Sequence, residues 1–274
     1  MQGKIIKIIS NDYTVLSDKL YTCKVRGKFR NLKITPLVGD NVIFDKDNKY
    51  ITDILNRKNE LIRPNVSNID QVFILVSVKN PDLDLYLLDK LICQIEYNNI
   101  KPIICFTKLD LIDNIENINK LKNYYTSIGY NVFYNTEIED IKKIFKNKVT
   151  VFTGQSGSGK STLLNKLNVN LNLETNEISY ALGRGKHTTR HTELISMLDG
   201  LVADTPGFSS LDLSSIPKSD IRDNFIEFNI YRDKCKYRDC MHIKEDTCKI
   251  KEEVDNNILK SRYDNYIKLL KETK

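Results

Sequence analysis

A glycine-rich segment in the middle of the chain has the residue types and spacing that hold phosphate groups. Residues 154–161 read Gly-Gln-Ser-Gly-Ser-Gly-Lys-Ser and fit the pattern G-x-x-x-x-G-K-[ST] at every fixed position. Residues 149–152 before it predict a strand, and residues 161–167 after it predict a helix. The glycines let backbone amides wrap around a phosphate, and the helix N-terminus adds partial positive charge.

We therefore expect a nucleoside triphosphate at this phosphate loop rather than an empty glycine-serine turn. Lys160 would reach the β- and γ-phosphates, and the Ser161 hydroxyl would bind Mg²⁺. The residues expected to contact the nucleotide here are Gly154, Gln155, Ser156, Gly157, Ser158, Gly159, Lys160, Ser161 and Thr162.

A second segment indicates which base is bound. Residues 107–110 follow the predicted strand 102–106 and have the T-K-x-D form of a guanine-reading motif, composed of Thr107, Lys108, Leu109 and Asp110. The Asp110 carboxylate can accept the N1–H and 2-amino donors of guanine, a pair that adenine lacks. The Lys108 stem can lie over the ring. Taken alone, the motif has an alternative interpretation, in which the aspartate caps a helix that follows the strand.

A third segment, Asp-Thr-Pro-Gly at residues 204–207, follows the predicted strand 201–203. Asp204 can hold Mg²⁺, and the Gly207 amide can meet the γ-phosphate. The guanine motif precedes the phosphate loop, although it comes last in most GTPases, so the sequence predicts a circularly permuted sheet whose strand ends still converge. The alternatives are a P-loop ATPase or kinase acting on a small molecule, and an RNA-binding protein with a vestigial nucleotide site.

Three cysteines and a histidine near the C-terminus have the composition of a metal site. Their spacing is C-x₄-C-x-H-x₅-C, and the candidate ligands are Cys235, Cys240, His242 and Cys248. A Cys₃His set is a closed tetrahedral shell with no open position for substrate, so we expect one structural zinc ion per chain. The alternative is a disulfide, which would leave one of the three cysteines unpaired.

The elements that must position these residues fall into three domains. Short predicted strands at 4–9, 13–16, 20–26, 41–44 and 50–54 suggest a five-stranded barrel in residues 1–62. Residues 63–211 alternate buried strands with helices, which predicts a parallel α/β sheet. Residues 212–274 are expected to be helical around the zinc site, with a helix over 257–270.

Charge and composition favour a nucleic-acid partner for the barrel and exclude two classes of protein. Residues 1–66 carry 13 basic and 7 acidic residues, so the whole net charge of +6 lies there. Such an excess is typical of a polyanion-binding module, although a solvated basic face would look the same. The 274 residues are 41% hydrophobic, which excludes a disordered chain. The longest apolar run, 72–78, is too short for a membrane span, so we expect a cytoplasmic protein that does not bind membranes.

The motif order, the segment Gly-Arg-Gly-Lys-His-Thr-Thr-Arg at 183–190 and the flanking modules together resemble a known family. The chain is similar over essentially its whole length to the circularly permuted, small-subunit-dependent GTPases of the RsgA/YjeQ/YloQ family. The resemblance implies an N-terminal OB barrel, a permuted GTPase domain and a C-terminal zinc domain. It also implies that the protein binds the small (30S) ribosomal subunit and its 16S rRNA, assists late maturation and hydrolyses GTP to GDP faster on the subunit. Nothing in the sequence requires a dimer, so we expect a monomer.

The resemblance also assigns residues in the segment 183–190. It implies that Thr189 binds Mg²⁺, with Thr188 as the alternative. Many GTPases place a glutamine after D-x-x-G to orient the attacking water, but this chain has Phe208 there. His187 is the candidate for that role, because a neutral imidazole accepts a hydrogen bond from water; His191 is the competing histidine.

Overall fold

The computed structural model describes residues 1–27, 29, 34–61, 64–167, 192–204, 213 and 216–273, and of residue 204 it describes only the backbone. In chain order the strands are β1 (Gln2–Ile9), β2 (Asp12–Leu16), β3 (Leu20–Val25), β4 (Asn41–Asp45), β5 (Tyr50–Ile54), β6 (Glu60–Leu61), β7 (Val66–Ser67), β8 (Gln71–Ser77), β9 (Lys101–Thr107), β10 (Asn131–Tyr134), β11 (Val149–Gly154), β12 (Glu193–Met197) and β13 (Gly200–Asp204). The helices are α1 (Leu85–Tyr97), α2 (Glu116–Ser127), α3 (Ile138–Lys143), α4 (Lys160–Leu167), α5 (Lys218–Asp223), α6 (Lys249–Glu253) and α7 (Lys260–Glu272). None of these helices combines the length and the apolar character that crossing a membrane requires.

The first five strands close into a barrel, which confirms the predicted N-terminal fold. The strands follow the order β1-β2-β3-β5-β4, and β4 pairs back onto β1. Side chains alternate between the two faces of each strand, so every second residue points into the barrel. The interior is filled by Ile5, Tyr13, Val15, Cys23, Phe29, Val42, Phe44 and Ile51.

A parallel sheet forms the centre of the molecule, as predicted. Strands β10, β9, β8, β11 and β13 are neighbours in that order and run parallel. All seven residues of β8 are buried, because helices α1 and α2 cover one face of the sheet and α3 and α4 cover the other. The carboxyl ends of these strands share one edge, where the segments that follow them come together.

A hairpin of β12 and β13 joins the barrel to this sheet. β13 pairs with β11 on one side and with β12 on the other, and β12 pairs with β1 where Lys7 lies opposite Glu193. The described strands of the barrel and the central sheet therefore form one continuous sheet of eleven strands.

The C-terminal helices pack on α1 through their own apolar core, which contains Phe225, Phe228, Tyr266, Leu269 and Cys93 of α1. The helix predicted over 257–270 instead begins at Lys260. The preceding residues form a turn in which Asp255 has a φ of 67°, and Val254 forms a bridge with Ile258.

A buried ionic cluster fixes the position of α7 against the central domain. Arg262 is 1% exposed and lies between two carboxylates that are equally buried. Its Nε and Nη2 donate to the two oxygens of Glu227 at 2.8 and 2.7 Å, and its Nη1 donates to Asp89 of α1 at 2.8 Å. The remaining partners of Asp89 are the Tyr125 hydroxyl and the Asn265 amide, both at 2.7 Å.

Candidate nucleotide and metal sites

The phosphate loop lies between the end of β11 and the start of α4. Gly154, Gly157 and Gly159 have φ values of 141°, 74° and 90°, which side chains other than glycine rarely allow. A Cβ atom at Gly154 would also lie 2.3 Å from the carbonyl oxygen of Leu75 in the neighbouring strand β8. Glycine is therefore required at this position both by the backbone conformation and by the space available.

The two phosphate-loop side chains with predicted roles lie in the first turn of α4. The Lys160 ammonium donates to the carbonyl oxygens of Gly154 at 3.1 Å and Gln155 at 3.2 Å. Burial lowers the pKa of Lys160, and the group has no carboxylate partner among the described residues, so a phosphate oxygen would suit it as an acceptor. Ser161 is buried beside it. Thr162, the last residue predicted to contact the nucleotide, is exposed.

The guanine motif lies directly against the phosphate loop. The buried Thr107 hydroxyl, at the end of β9, donates to the backbone carbonyl of Ser158 at 2.7 Å. Thr107 therefore positions the phosphate loop and does not itself point to a base. Lys108 has a left-handed φ of 62° and donates to the Asn80 carbonyl. Asp110 follows in the short helix Leu109–Leu111, with its side chain exposed.

The third predicted segment begins at the same edge of the sheet. Asp204 is the last residue of β13, and β13 lies next to β11 with Val151 opposite Ala203. The backbone of Asp204 is therefore one strand away from the phosphate loop. Gly207, Phe208, Thr188, Thr189, His187 and His191 lie outside the described residues, so their predicted roles stay predictions.

Two loops at this edge were not selected by the sequence analysis. The loop after β8 contains Asn80 and Pro81, and a Cβ atom at Gly157 would lie 3.8 Å from Pro81 Cδ. The loop after β10 begins at Asn135, whose amide donates to the Phe106 carbonyl at 3.0 Å. Both loops follow strands of the parallel sheet, and that was the signal available in the sequence, since such strands end at the ligand-binding edge.

The four predicted metal ligands converge in the C-terminal domain. The ligand atoms of Cys235, Cys240, His242 and Cys248 all lie within 4.8 Å of one another. The sulfur atoms of Cys235 and Cys248 are 4.0 Å apart, close to the separation of about 3.8 Å expected for two sulfurs on one tetrahedral zinc with 2.3 Å bonds. A disulfide requires about 2 Å. All six cysteines are free, so the disulfide alternative is wrong.

The histidine contributes its Nδ1 atom to this cluster. His242 Nδ1 lies 3.4 Å from Cys248 Sγ and 3.7 Å from Cys235 Sγ. Its Nε2 atom is buried without a hydrogen-bond partner among the described residues, and the ring lies edge-on to Phe228 with centroids 5.7 Å apart. Burial raises the pKa of Cys240 to about 12, so a bound cation must displace the thiol proton. A set of three thiols and an imidazole, of which all but the half-buried Cys235 are buried, fits zinc.

The loop that carries the ligands is held by hydrogen bonds to its backbone. The Glu245 carboxylate accepts from the amides of Met241, Ile243 and Lys244 at 2.7–3.0 Å. Desolvation alone would raise the pKa of Glu245, but the backbone amides outweigh it, so the pKa is lowered. From α7, the hydroxyls of Tyr263 and Tyr266 donate to the carbonyls of His242 and Met241 at 2.7 and 2.6 Å.

Comparisons with known sequences identify the family of this chain. A model described as RsgA GTPase matches residues 54–214, and a model of the RsgA N-terminal domain matches residues 2–52. The small ribosomal subunit biogenesis GTPase RsgA of Enterococcus faecalis is 45% identical over 282 residues, which cover 99% of this chain and 95% of that protein. The protein of the same name from Bacillus subtilis is 45% identical over 290 residues, which cover 100% and 97%.

Comparison with solved structures agrees with the sequence matches. The crystal structure of YloQ, a circularly permuted GTPase, has a TM-score of 0.84 and 39% identity, covering 99% of this chain and 94% of that one. YjeQ from Thermotoga maritima has a TM-score of 0.86 and 34% identity, covering 99% and 97%. These matches favour the predicted GTP hydrolase over the ATPase and kinase alternatives. The chain belongs to the RsgA family of circularly permuted GTPases.

Proposed function

We propose that this protein binds the small ribosomal subunit through its 16S rRNA, assists late maturation of the subunit, and hydrolyses GTP faster when bound to it. The names of the relatives, which are small ribosomal subunit biogenesis GTPases, support this assignment. The structural observation that carries the GTP site is the hydrogen bond from Thr107 to the Ser158 carbonyl. It joins the guanine motif to the phosphate loop across 51 positions of the chain.

The nucleotide would lie along the carboxyl edge of the parallel sheet. Asp110 would accept the two guanine donors, and the Lys108 stem would cover one face of the ring. Lys160, which now donates to two backbone carbonyls of its own loop, would instead donate to the β- and γ-phosphates. The amide of Gly207 would donate to the γ-phosphate.

Magnesium would enter with the nucleotide and neutralise charge on the β- and γ-phosphates. Its protein ligands would be Ser161, Thr189 and Asp204. Ser161 is buried in the first turn of α4, beside Lys160. The backbone of Asp204 lies at the end of β13, the strand that pairs with β11. These positions support the choice of Ser161 and Asp204.

We assign the role of orienting the attacking water to His187, since Phe208 cannot form the hydrogen bond that a glutamine makes there in many GTPases. The His187→Ala variant should keep its affinity for GTP and lose at least about tenfold in turnover, since a positioned general base contributes about 10²–10⁴-fold. Single-turnover hydrolysis and equilibrium nucleotide binding measure the two quantities separately. Unchanged turnover would remove His187 from the mechanism.

We assign one structural zinc ion per chain to Cys235, Cys240, His242 and Cys248. The four protein ligands fill a tetrahedral shell, so the ion would have no open position for water or substrate. Its role would be to hold the C-terminal domain (residues 212–274) in a form that contacts the subunit, beside the GTPase domain (63–211) and the barrel (1–62).

The barrel is the module we expect to bind rRNA, through lysines and arginines that contact phosphates. The net charge of +6 within residues 1–66 supports this role, and binding of this kind weakens steeply as salt is added.

The test is GTP hydrolysis by the purified protein, with and without small ribosomal subunits, at low and high salt. We expect slow hydrolysis alone and faster hydrolysis with subunits. Hydrolysis without stimulation would contradict the ribosomal role and leave the enzyme assignment intact. Stronger competition by ATP than by GTP would contradict the base specificity.

A further inference from the structure

The barrel meets the central sheet close to the nucleotide edge. Among the described residues, β1 pairs with β12 at one position, where Lys7 lies opposite Glu193. The Lys7 ammonium is 3.1 Å from Oε1 and 3.0 Å from Oε2 of Glu193, and the two side chains are 30% and 23% exposed. The ion pair therefore reinforces the backbone pairing at the point where the two domains join.

Glu193 occupies a critical place in the hairpin. It is the first residue of β12 and lies directly opposite Asp204, the last residue of β13 and the proposed magnesium ligand. It also follows by three positions the segment 183–190, which contains Thr189. On its other side β13 pairs with β11, which leads into the phosphate loop. Among the described strands, the two of this hairpin lie between β1, which carries Lys7, and β11, which leads into the phosphate loop.

The two domains separate at the opposite end of the hairpin. There a cleft of about 710 Å³ opens between the barrel and the hairpin turn, lined by Lys4 and Leu16 of the barrel and by Leu198 and Asp199 of the turn. On the flank of Lys7, Ile6 belongs to the same apolar core as Leu194 of β12. The contact between β1 and the hairpin is thus concentrated at the end nearest the nucleotide, and a displacement of the barrel would act on Glu193.

We propose that Lys7 and Glu193 are positioning residues for GTP hydrolysis. The pair holds the first residue of β12 in register with Asp204, and it is the route by which a ligand bound to the barrel changes the rate at the nucleotide site. This proposal rests on the proposed function for the identity of that ligand, the small ribosomal subunit. The effect of the pair on the position of Asp204 does not require the subunit, so it can be measured on the isolated protein.

The first test uses the isolated protein. Lys7→Met and Glu193→Gln keep the size of each side chain and remove its charge. Each should lower kcat for GTP by about two- to fivefold and raise the Mg²⁺ concentration for half-maximal rate, the range expected for losing a partly exposed ion pair. The KM for GTP should change less than about twofold, since the pair touches no nucleotide group. The exchange variant Lys7→Glu with Glu193→Lys should recover part of both losses, since it restores the contact between the two side chains and not the other interactions of Glu193.

A matched control is Lys143→Met, which removes the same charge from an exposed pair with Asp140 on α3. It should leave kcat and the Mg²⁺ requirement unchanged. The proposal is overturned if Lys7→Met and Glu193→Gln behave like this control, or if both reduce kcat and the exchange variant does not recover it. The recovery distinguishes a positioning pair from a substitution that merely destabilises the fold.

The second test adds small ribosomal subunits. Each single variant should bind subunits within about twofold of the wild-type affinity and lose most of the stimulation of kcat, while the exchange variant regains part of it. If wild-type hydrolysis is not stimulated, the proposed ribosomal function fails and the Mg²⁺ test still decides the role of the pair. If the wild type is stimulated and both single variants are stimulated equally, the proposed route from the barrel is wrong.

Discussion

The buried Arg262 guanidinium can be tested by the substitution Arg262→Met, which keeps the apolar stem and removes the charge. In the variant, Asp89 would keep hydrogen bonds from the Tyr125 hydroxyl and the Asn265 amide. Glu227 would lose both of its hydrogen bonds to Arg262 while remaining 1% exposed. The substitution therefore leaves two buried carboxylates without a cation, and most of its cost should come from Glu227.

Removing one partner of a buried ion pair typically costs about 3–5 kcal/mol. Since 1.4 kcal/mol is a factor of ten, we expect hydrogen-exchange protection in α7 to fall by roughly two to three and a half orders of magnitude. Exchange measured on peptides from this helix reports local opening of the C-terminal domain, so the measurement does not require the whole chain to unfold in one step. The matched control is Lys260→Met on the same helix, where the exposed pair with Asp264 should contribute less than about 1 kcal/mol.

The cost should also depend on pH. Burial raises the pKa of Asp89, and the opposing effects of Arg262, Asn265 and Tyr125 only partly offset it. Without Arg262 the pKa of Asp89 should rise further. A carboxyl whose pKa is higher in the folded state favours folding when protonated, so the deficit should be full above that pKa and shrink as the pH falls through it. Protection factors compared at about pH 8 and about pH 5.5 test this.

A cost of less than about 1 kcal/mol for Arg262→Met, the range of a surface pair, would contradict the assigned role of the buried guanidinium. A deficit that is the same at both pH values would contradict it too, because buried carboxylates without a cation must become less costly on protonation.

Three further substitutions test the nucleotide and metal sites. Gly154→Ala places a Cβ atom 2.3 Å from the Leu75 carbonyl oxygen and should reduce GTP affinity at least about tenfold. Gly157→Ala, whose Cβ atom would lie 3.8 Å from Pro81, should reduce GTP affinity less. Titration with a fluorescent GTP analogue measures both affinities, and equal losses would show that the close approach to Leu75 is unimportant. Cys248→Ser should reduce bound zinc, measured by elemental analysis, from about one ion per chain to a small fraction. It should also increase hydrogen exchange in residues 235–253, measured by mass spectrometry. Full zinc retention would contradict the ligand set.

The sequence predicted those parts of the fold that depend on local patterns. The run 72–78 lacks the alternation of a half-exposed strand, and β8 is buried at every position. The phosphate loop and the guanine motif were located because each joins a buried strand to a turn or helix with a fixed residue pattern. The convergence of the three segments followed from one rule, that parallel strands end at a common edge.

The strand β12 was not predicted because its turn is displaced by one residue from the turn signal in the sequence. Asp199-Gly200 is a common turn dipeptide, but the two residues with left-handed φ values are Leu198 at 54° and Asp199 at 57°, and leucine rarely adopts this conformation. Pairing with β13 on one side and β1 on the other stabilises this hairpin, so tertiary contacts outweigh the local preference of Leu198.

Contacts between domains could not be predicted from the sequence either. Arg262 and Asp89 are 173 positions apart, and Lys7 and Glu193 are 186 positions apart. The helical pattern of 257–270 identified residues that face the core, but a charged residue in that pattern is normally placed on the solvent side. The burial of Arg262 is possible because two carboxylates from other elements neutralise its charge and accept its hydrogen bonds.

The Asp110→Asn variant tests most directly whether Asp110, Lys160 and Asp204 surround one guanine nucleotide. An asparagine amide presents a donor where the carboxylate accepts, which suits the 2-carbonyl of xanthine and not the 2-amino group of guanine. We predict that GTP affinity falls at least about 100-fold, that xanthosine triphosphate becomes the tighter ligand, and that Asp113→Asn in the same loop changes neither. Unchanged GTP affinity in the Asp110→Asn variant would contradict the account.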